Sequence, residues 1–195
     1  MTEPPSNSFQ GVDKQLLTPA AVGVIPTDTV YGVVARAADQ SAATRLYELK
    51  QRDNKPGTII AANLEQLEAL GLKHRYLKAV EQFWPGAISV LIPCADAQLT
   101  YLHRGKSSLA VRLPADPELQ KLLTATGPLL TSSANHPGQP TATTIDQARD
   151  YFGDQVDFYA DGGDLSNHQP STIIRIVDDA IEVLREGAVK IPSSA

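Results

Sequence analysis

Ala21-Val22-Gly23-Val24-Ile25 runs directly into Pro26-Thr27-Asp28-Thr29-Val30-Tyr31-Gly32. Five small or β-branched residues stopped by a proline predict a buried strand over 21–25. The seven residues that follow bring two hydroxyls, a carboxylate and a phenol to the place where the chain leaves a sheet. Ligands of open α/β sheets bind at the carboxyl ends of strands, so a small polar ligand suits this position. An ordinary strand-exit turn, with Thr and Asp side chains capping backbone amides, fits the same residues. Spacing alone leaves both readings open.

Working outward, short β-branched runs alternate with helical patterns. Strands are expected over 58–62, 87–92, 108–113, 129–132, 156–160, 172–177 and 181–184. Helices are expected over 41–50 with Ser41 as N-cap, 64–70 closed by Gly71, 78–83, 117–124 behind Asp116, and 144–152. Seven or eight strands with helices between them make an α/β fold, a twisted sheet with helices packed on it. The last two strands lie close enough in sequence to form a hairpin, so the sheet is expected to be mixed.

Residues 1–10 are polar and contain two prolines, which reads as a flexible leader, and 11–195 read as a single domain. The 195 residues are 42% hydrophobic and 20% charged, with a formal net charge of −5. That acidic balance argues against a protein that grips nucleic acid with its whole surface. One cysteine, Cys94, cannot pair within the chain, and the four histidines have no zinc spacing, so no metal ligand set is expected. No secretory signal or apolar run of membrane-spanning length is present, and a reducing, cytoplasmic setting is expected.

Four further segments carry groups able to do chemistry. Lys50-Gln51-Arg52 falls at a predicted helix end. It is either a solvated C-terminus favoured by the macrodipole or a phosphate clamp, exposed until ligand arrives. Arg112, within Ala110-Val111-Arg112, sits inside a strand pattern and needs either solvent or an anion, supplied by an ion pair or by a substrate carboxylate. Thr131-Ser132-Ser133-Ala134-Asn135 leads into the turn His136-Pro137-Gly138, and its hydroxyls and loop amides can cradle phosphate or simply form a turn. Ser171 opens one strand and Arg185 closes the last. No GxxxxGK[ST] or GxGxxG occurs, so neither a P-loop nor a dinucleotide fingerprint is supported.

In their order along the chain, Pro-Thr-Asp-Thr-Val-Tyr-Gly at 26–32, Leu-Lys-Gln-Arg at 49–52, Trp-Pro-Gly at 84–86, Ala-Val-Arg at 110–112, Thr-Ser-Ser-Ala-Asn at 131–135, Ser-Thr-Ile at 171–173 and Arg-Glu-Gly at 185–187 resemble the YrdC/TsaC family of threonylcarbamoyl-AMP synthases. The resemblance covers nearly the whole chain after residue 10, in the short single-domain form. Family members carry proline directly after Lys-x-Arg, where this chain has Asp53.

The resemblance implies a YrdC-like fold and a nucleotidyltransferase. L-threonine, bicarbonate and ATP, with Mg²⁺ arriving on the nucleotide, give threonylcarbamoyl-AMP and pyrophosphate. A downstream transfer complex then moves the threonylcarbamoyl group to adenosine 37 of tRNA, with a weak tRNA contact by the enzyme itself. By the same resemblance, Lys50 and Arg52 are catalytic and hold the triphosphate with Ser133, Asn135 and Arg185. Thr27, Tyr31, Arg112 and Ser171 bind threonine. The alternative from another class is an RNA-binding module in rRNA or ribosome maturation without catalysis. The chain lacks the RRM, KH and dsRBD signatures that such a module would carry.

Overall fold

In the computed structural model, residues 8–51, 55–178 and 180–191 are described. The Asp53 departure, the Arg52 assignment and most of the proposed leader lie outside them. The strands are β1 (Val22–Ile25), β2 (Gly32–Arg36), β3 (Thr58–Ile60), β4 (Ile88–Pro93), β5 (Ser108–Arg112), β6 (Leu129–Ser133), β7 (Phe158–Tyr159), β8 (Thr172–Val177) and β9 (Ala180–Arg185). The α-helices are α1 (Val12–Leu17), α2 (Gln40–Leu49), α3 (Leu64–Leu70), α4 (His74–Val80), α5 (Thr100–His103), α6 (Pro117–Thr126) and α7 (Ile145–Phe152). The strands form one sheet in the order β7-β1-β2-β6-β3-β5-β4-β8-β9. β1–β7, β3–β5 and β4–β8 pair in parallel, and the other neighbours are antiparallel, including the expected β8–β9 hairpin.

Most elements form where the sequence patterning puts them, within a few residues. Gly71 ends α3 in the left-handed region at φ 115°, and Asp116 caps α6 by accepting the Leu119 amide. Three readings change. The helix over 41–50 starts one residue earlier, and its cap is Asp39, not Ser41: one Asp39 carboxylate oxygen accepts the Ala42 amide at 3.0 Å and the other the Ala20 amide at 2.9 Å. The helix expected over 78–83 begins at His74 and finishes as a 3₁₀ turn over Glu81–Phe83. Most consequentially, the polar stretch after β1 is a hairpin loop, because residues 32–36 form β2 and return antiparallel to β1.

Side chains alternate between the two faces of a sheet, and here the two faces are covered unequally. One face carries Val24, Val33, Ile59, Val90, Val111 and Leu130 into the larger core, under α2, α3, α4 and α7. The other face carries Ile25, Val34, Ile60 and Leu129 into a smaller core with Val12 and Leu16 of α1 and Leu119, Leu122 and Leu123 of α6. Further along this second face the apolar residues give way to Gly32, Thr58, Ala110, Thr131 and Ser133, which share its parity through the strand register. No helix of the smaller core reaches them. Small side chains on an uncovered stretch of sheet leave a cavity.

Candidate active site

The cavity has a volume of about 610 Å³, and this uncovered stretch is its floor. That volume falls in the range of small-molecule sites. The β1–β2 loop closes one side. Within it the Thr27 hydroxyl donates to Val30 O at 2.6 Å and accepts the Thr29 and Val30 amides at 3.2 Å each. This makes Thr27 the pin of the loop. Gly32 is fixed by lack of space: an added Cβ would fall 2.6 Å from the Thr131 hydroxyl. Tyr31 has no exposed surface; its hydroxyl donates to Gly163 O at 2.9 Å and accepts the Gly162 amide at 2.8 Å, tying the loop to the 161–164 turn. Burial, with help from nearby Asp161, pushes the Tyr31 phenol up to about 12.

Arg112 lies on the cavity face of β5, level with Ile60 of β3. Its Nη2 meets Asp28 Oδ1 at 2.9 Å and its Nη1 donates to the Thr29 hydroxyl at 3.2 Å. The two charged side chains are 3% and 8% exposed. Burial holds the Asp28 carboxyl above its ordinary range, opposed by Arg112. The guanidinium stays charged, as arginine does in proteins. Arg112 Nε is buried with no acceptor among the described residues. A buried charge-bearing donor without a partner is costly.

Ser171 and Arg185 sit on the wall beyond β4. The Ser171 hydroxyl is 2.9 Å from that of Ser89, and Arg185 Nη2 donates to Ser171 O at 2.7 Å and to its hydroxyl at 3.2 Å.

The structure therefore brings Thr27, Tyr31, Arg112, Ser133, Ser171 and Arg185 to one cavity. It does not bring Lys50 or Asn135 to the wall. Lys50 was expected to be exposed and is only 2% exposed. Its ammonium donates to Ser133 O at 2.7 Å, to Asn135 Oδ1 at 2.9 Å and to Asn135 O. Ser133 Oγ donates to Asn135 Oδ1 at 2.7 Å, and Asn135 Nδ2 donates to Gln139 O at 2.7 Å. Lys50 thus ties together the turn after β6. Lys55, Lys106 and Ser108 line the wall and were not singled out in the sequence. Ser108 had a usable signal, since it continues the alternation of Arg112 and Ala110 back along β5, whereas Lys106 lies beyond the strand, past Ser107 at φ 52°.

The wall carries four cations, Lys55, Lys106, Arg112 and Arg185, and no Asp or Glu among the described residues. In a chain of net charge −5 this is a strong segregation of charge. A cavity of one sign within low-dielectric walls concentrates oppositely charged ligands. Its chemistry suits a polyanion together with a carboxylate. Among the described residues the wall has no carboxylate with which to hold a divalent cation. Among the described residues no group of three or more His, Cys, Asp or Glu could hold a metal ion. None of their helices is long and apolar enough to cross a membrane.

Comparison with known proteins gives a consistent picture. The family model of the Sua5, YciO and YrdC proteins, described as "Telomere recombination", matches residues 15–187. A threonylcarbamoyl-AMP synthase of Marinobacter nauticus is 37% identical over 184 residues, covering 91% of this chain and 97% of its own. A putative threonylcarbamoyl-AMP synthase of Mycobacterium tuberculosis H37Rv is 34% identical over 169 residues, covering 85% of this chain and 78% of its own. Among solved structures, Pyrococcus abyssi Sua5 complexed with L-threonine superposes with a TM-score of 0.80 at 28% identity, covering 92% of this chain. The chain spans about half, 54%, of that longer protein.

Proposed function

The chain belongs to the Sua5/YciO/YrdC family, and from that membership we propose that it is an enzyme making threonylcarbamoyl-AMP and pyrophosphate from L-threonine, bicarbonate and ATP. The observation that carries this reading is the cavity itself, which sets the buried Arg112 among further cations, with no Asp or Glu among the described residues of its wall. Arg112 is the natural receptor for the threonine carboxylate, with Ser171 beside it and Thr27 and Tyr31 fixing the loop that closes the pocket. Ser133 and Arg185 face the triphosphate. Lys50 and Asn135 act by shaping the turn that presents Ser133. Arg52 remains assigned to the phosphates by resemblance.

The chemistry asks for no protein nucleophile. The threonine amine attacks the bicarbonate carbon, and loss of water leaves a carbamate. A carbamate oxygen then attacks the α-phosphorus of ATP. The bond from that phosphorus to the bridging oxygen breaks, and the electron pair departs with pyrophosphate, which makes the reaction a nucleotidyl transfer. Catalysis consists of holding two anions in line and neutralising charge on the phosphates. Mg²⁺ accompanies ATP as part of the substrate. Release to a transfer complex acting on tRNA, in the cytoplasm, follows as the downstream step.

An RNA-binding module without catalysis has no use for a cavity floored by a buried arginine. Pyrophosphate release should require threonine and bicarbonate together. Arg112→Lys, which keeps the charge and loses the planar fork, should raise the threonine KM about tenfold or more. Pyrophosphate release indifferent to threonine would sink the proposal.

A further inference from the structure

The segment between α5 and β5 is built in an unusual backbone conformation. Arg104, Gly105 and Ser107 have φ of 50°, 78° and 52°, the left-handed region that side-chain-bearing residues occupy only when the surroundings hold them there. The surroundings do so on every side. His103 is 5% exposed; its Nδ1 accepts the Gly105 amide at 3.2 Å, and its Nε2 lies 3.1 Å from Asp96 O. The Lys106 amide donates to His103 O and the Cys94 amide to Ser107 O, each at 2.9 Å. The Arg104 guanidinium lies 5.1 Å from the centre of the Tyr47 ring. Of the two basic side chains in this anchored loop, only that of Lys106 has no such tether among the described residues. The Lys106 residue is exposed, lines the cavity and makes no ion pair with any described residue.

We propose that Lys106 is a further substrate-contacting residue, binding the β- and γ-phosphates of ATP and the pyrophosphate they become. The inference rests on the adenylate-forming reading and adds a residue to it. Ser108, Ala110 and Arg112 alternate onto the cavity face of β5, and Lys106 stands just before them. From Arg112 to Ser108 this ladder covers roughly 13 Å. In-line displacement places the leaving group on the side of the α-phosphorus away from the attacking carbamate. With the threonine carboxylate at Arg112, the far side leads towards Lys106. The Thr58–Ala110 pairing of parallel β3 and β5 puts Lys55 at the same end of the adjacent strand, so two ammonium groups flank that end of the cavity. As the bond to the bridging oxygen breaks, charge grows on the pyrophosphate oxygens, where a nearby ammonium stabilises it.

Calorimetric titration of the full chain and of Lys106→Ala, with ATP, pyrophosphate, AMP and L-threonine in turn, tests this. The variant should bind ATP and pyrophosphate about tenfold or more weakly, with AMP and threonine affinities unchanged and partial recovery in Lys106→Arg. Unchanged pyrophosphate affinity in Lys106→Ala overturns the assignment, and so does an equal loss for AMP and threonine. Adenylate production assayed alongside separates this inference from the activity it builds on. Wild-type adenylate formation with unaltered pyrophosphate binding in the variant removes Lys106 alone. Lys106-dependent ATP binding without adenylate formation supports Lys106 and removes the proposed reaction. A wild-type chain that binds neither ATP nor pyrophosphate overturns both.

Discussion

Two side chains at this site carry predictions that depend on where their polar atoms end. Lys50 donates to two carbonyls and a carboxamide oxygen on the turn after β6. Lys50→Ala leaves these acceptors without their charged donor, at a cost of about 1.5–3 kcal/mol. The expected result is a lower urea midpoint together with a slower adenylation rate. Lost activity with unchanged stability would instead place the ammonium on the nucleotide. Tyr31 makes a pH-dependent contribution. Its pKa is raised to about 12 from an ordinary 10, so its contribution is whole below the ordinary value and is lost as pH climbs from there through the folded value. Thermal melts across that alkaline window should show a smaller fall in Tyr31→Phe than in the wild type. An equal fall would mean that the phenol is not the group titrating. Sequence showed that Lys50 and Arg112 are special without showing how. Whether a lysine at a helix end is exposed depends on a turn 83 to 85 residues away, and no local pattern encodes that contact.

Elements were more legible than their junctions. The strand at β1, the caps at Gly71 and Asp116 and the terminal hairpin follow from local signals of β-branching, turn residues and side-chain capping. β2 escaped because Gly32-Val33-Val34-Ala35-Arg36 follows a polar loop with no Asn-Gly or Asp-Gly to announce a hairpin. α1 escaped because it is six residues long and its N-cap, Gly11, makes no side-chain cap bond. At this scale the hairpin's exit also supports the site. A Cβ at Gly187 would lie 2.1 Å from Pro170 O and 2.7 Å from the Ser171 carbonyl oxygen, both backbone atoms. Gly187→Ala should therefore push the segment carrying Ser171 into the cavity, costing about 1–3 kcal/mol of stability and weakening threonine binding. Wild-type threonine affinity in a folded variant would show that Ser171 tolerates displacement.

Over β1 to β6 the sheet has one face covered by helices and the other covered for only part of its length, while β8 and β9 run out exposed on both faces, and the proposed activity lives on the uncovered stretch of the second face. The fold class was legible because alternating strands and helices allow few architectures. The cavity was not, since it arises where small residues from four strands far apart in sequence share one face: Gly32, Thr58, Ala110, Thr131 and Ser133. Net charge misled in the same way, because a total of −5 conceals a wall of four cations. The central claim is that this wall joins a carboxylate-bearing amine, carbonate and ATP into one adenylate. The most direct measurement is mass spectrometry of the product formed from ATP, L-threonine and isotopically labelled bicarbonate by the purified chain. The account predicts an adenylate whose mass contains threonine and the bicarbonate label, absent when either is withheld and strongly reduced in Arg112→Ala. An adenylate lacking the label, or none from a folded protein that binds ATP, would contradict it.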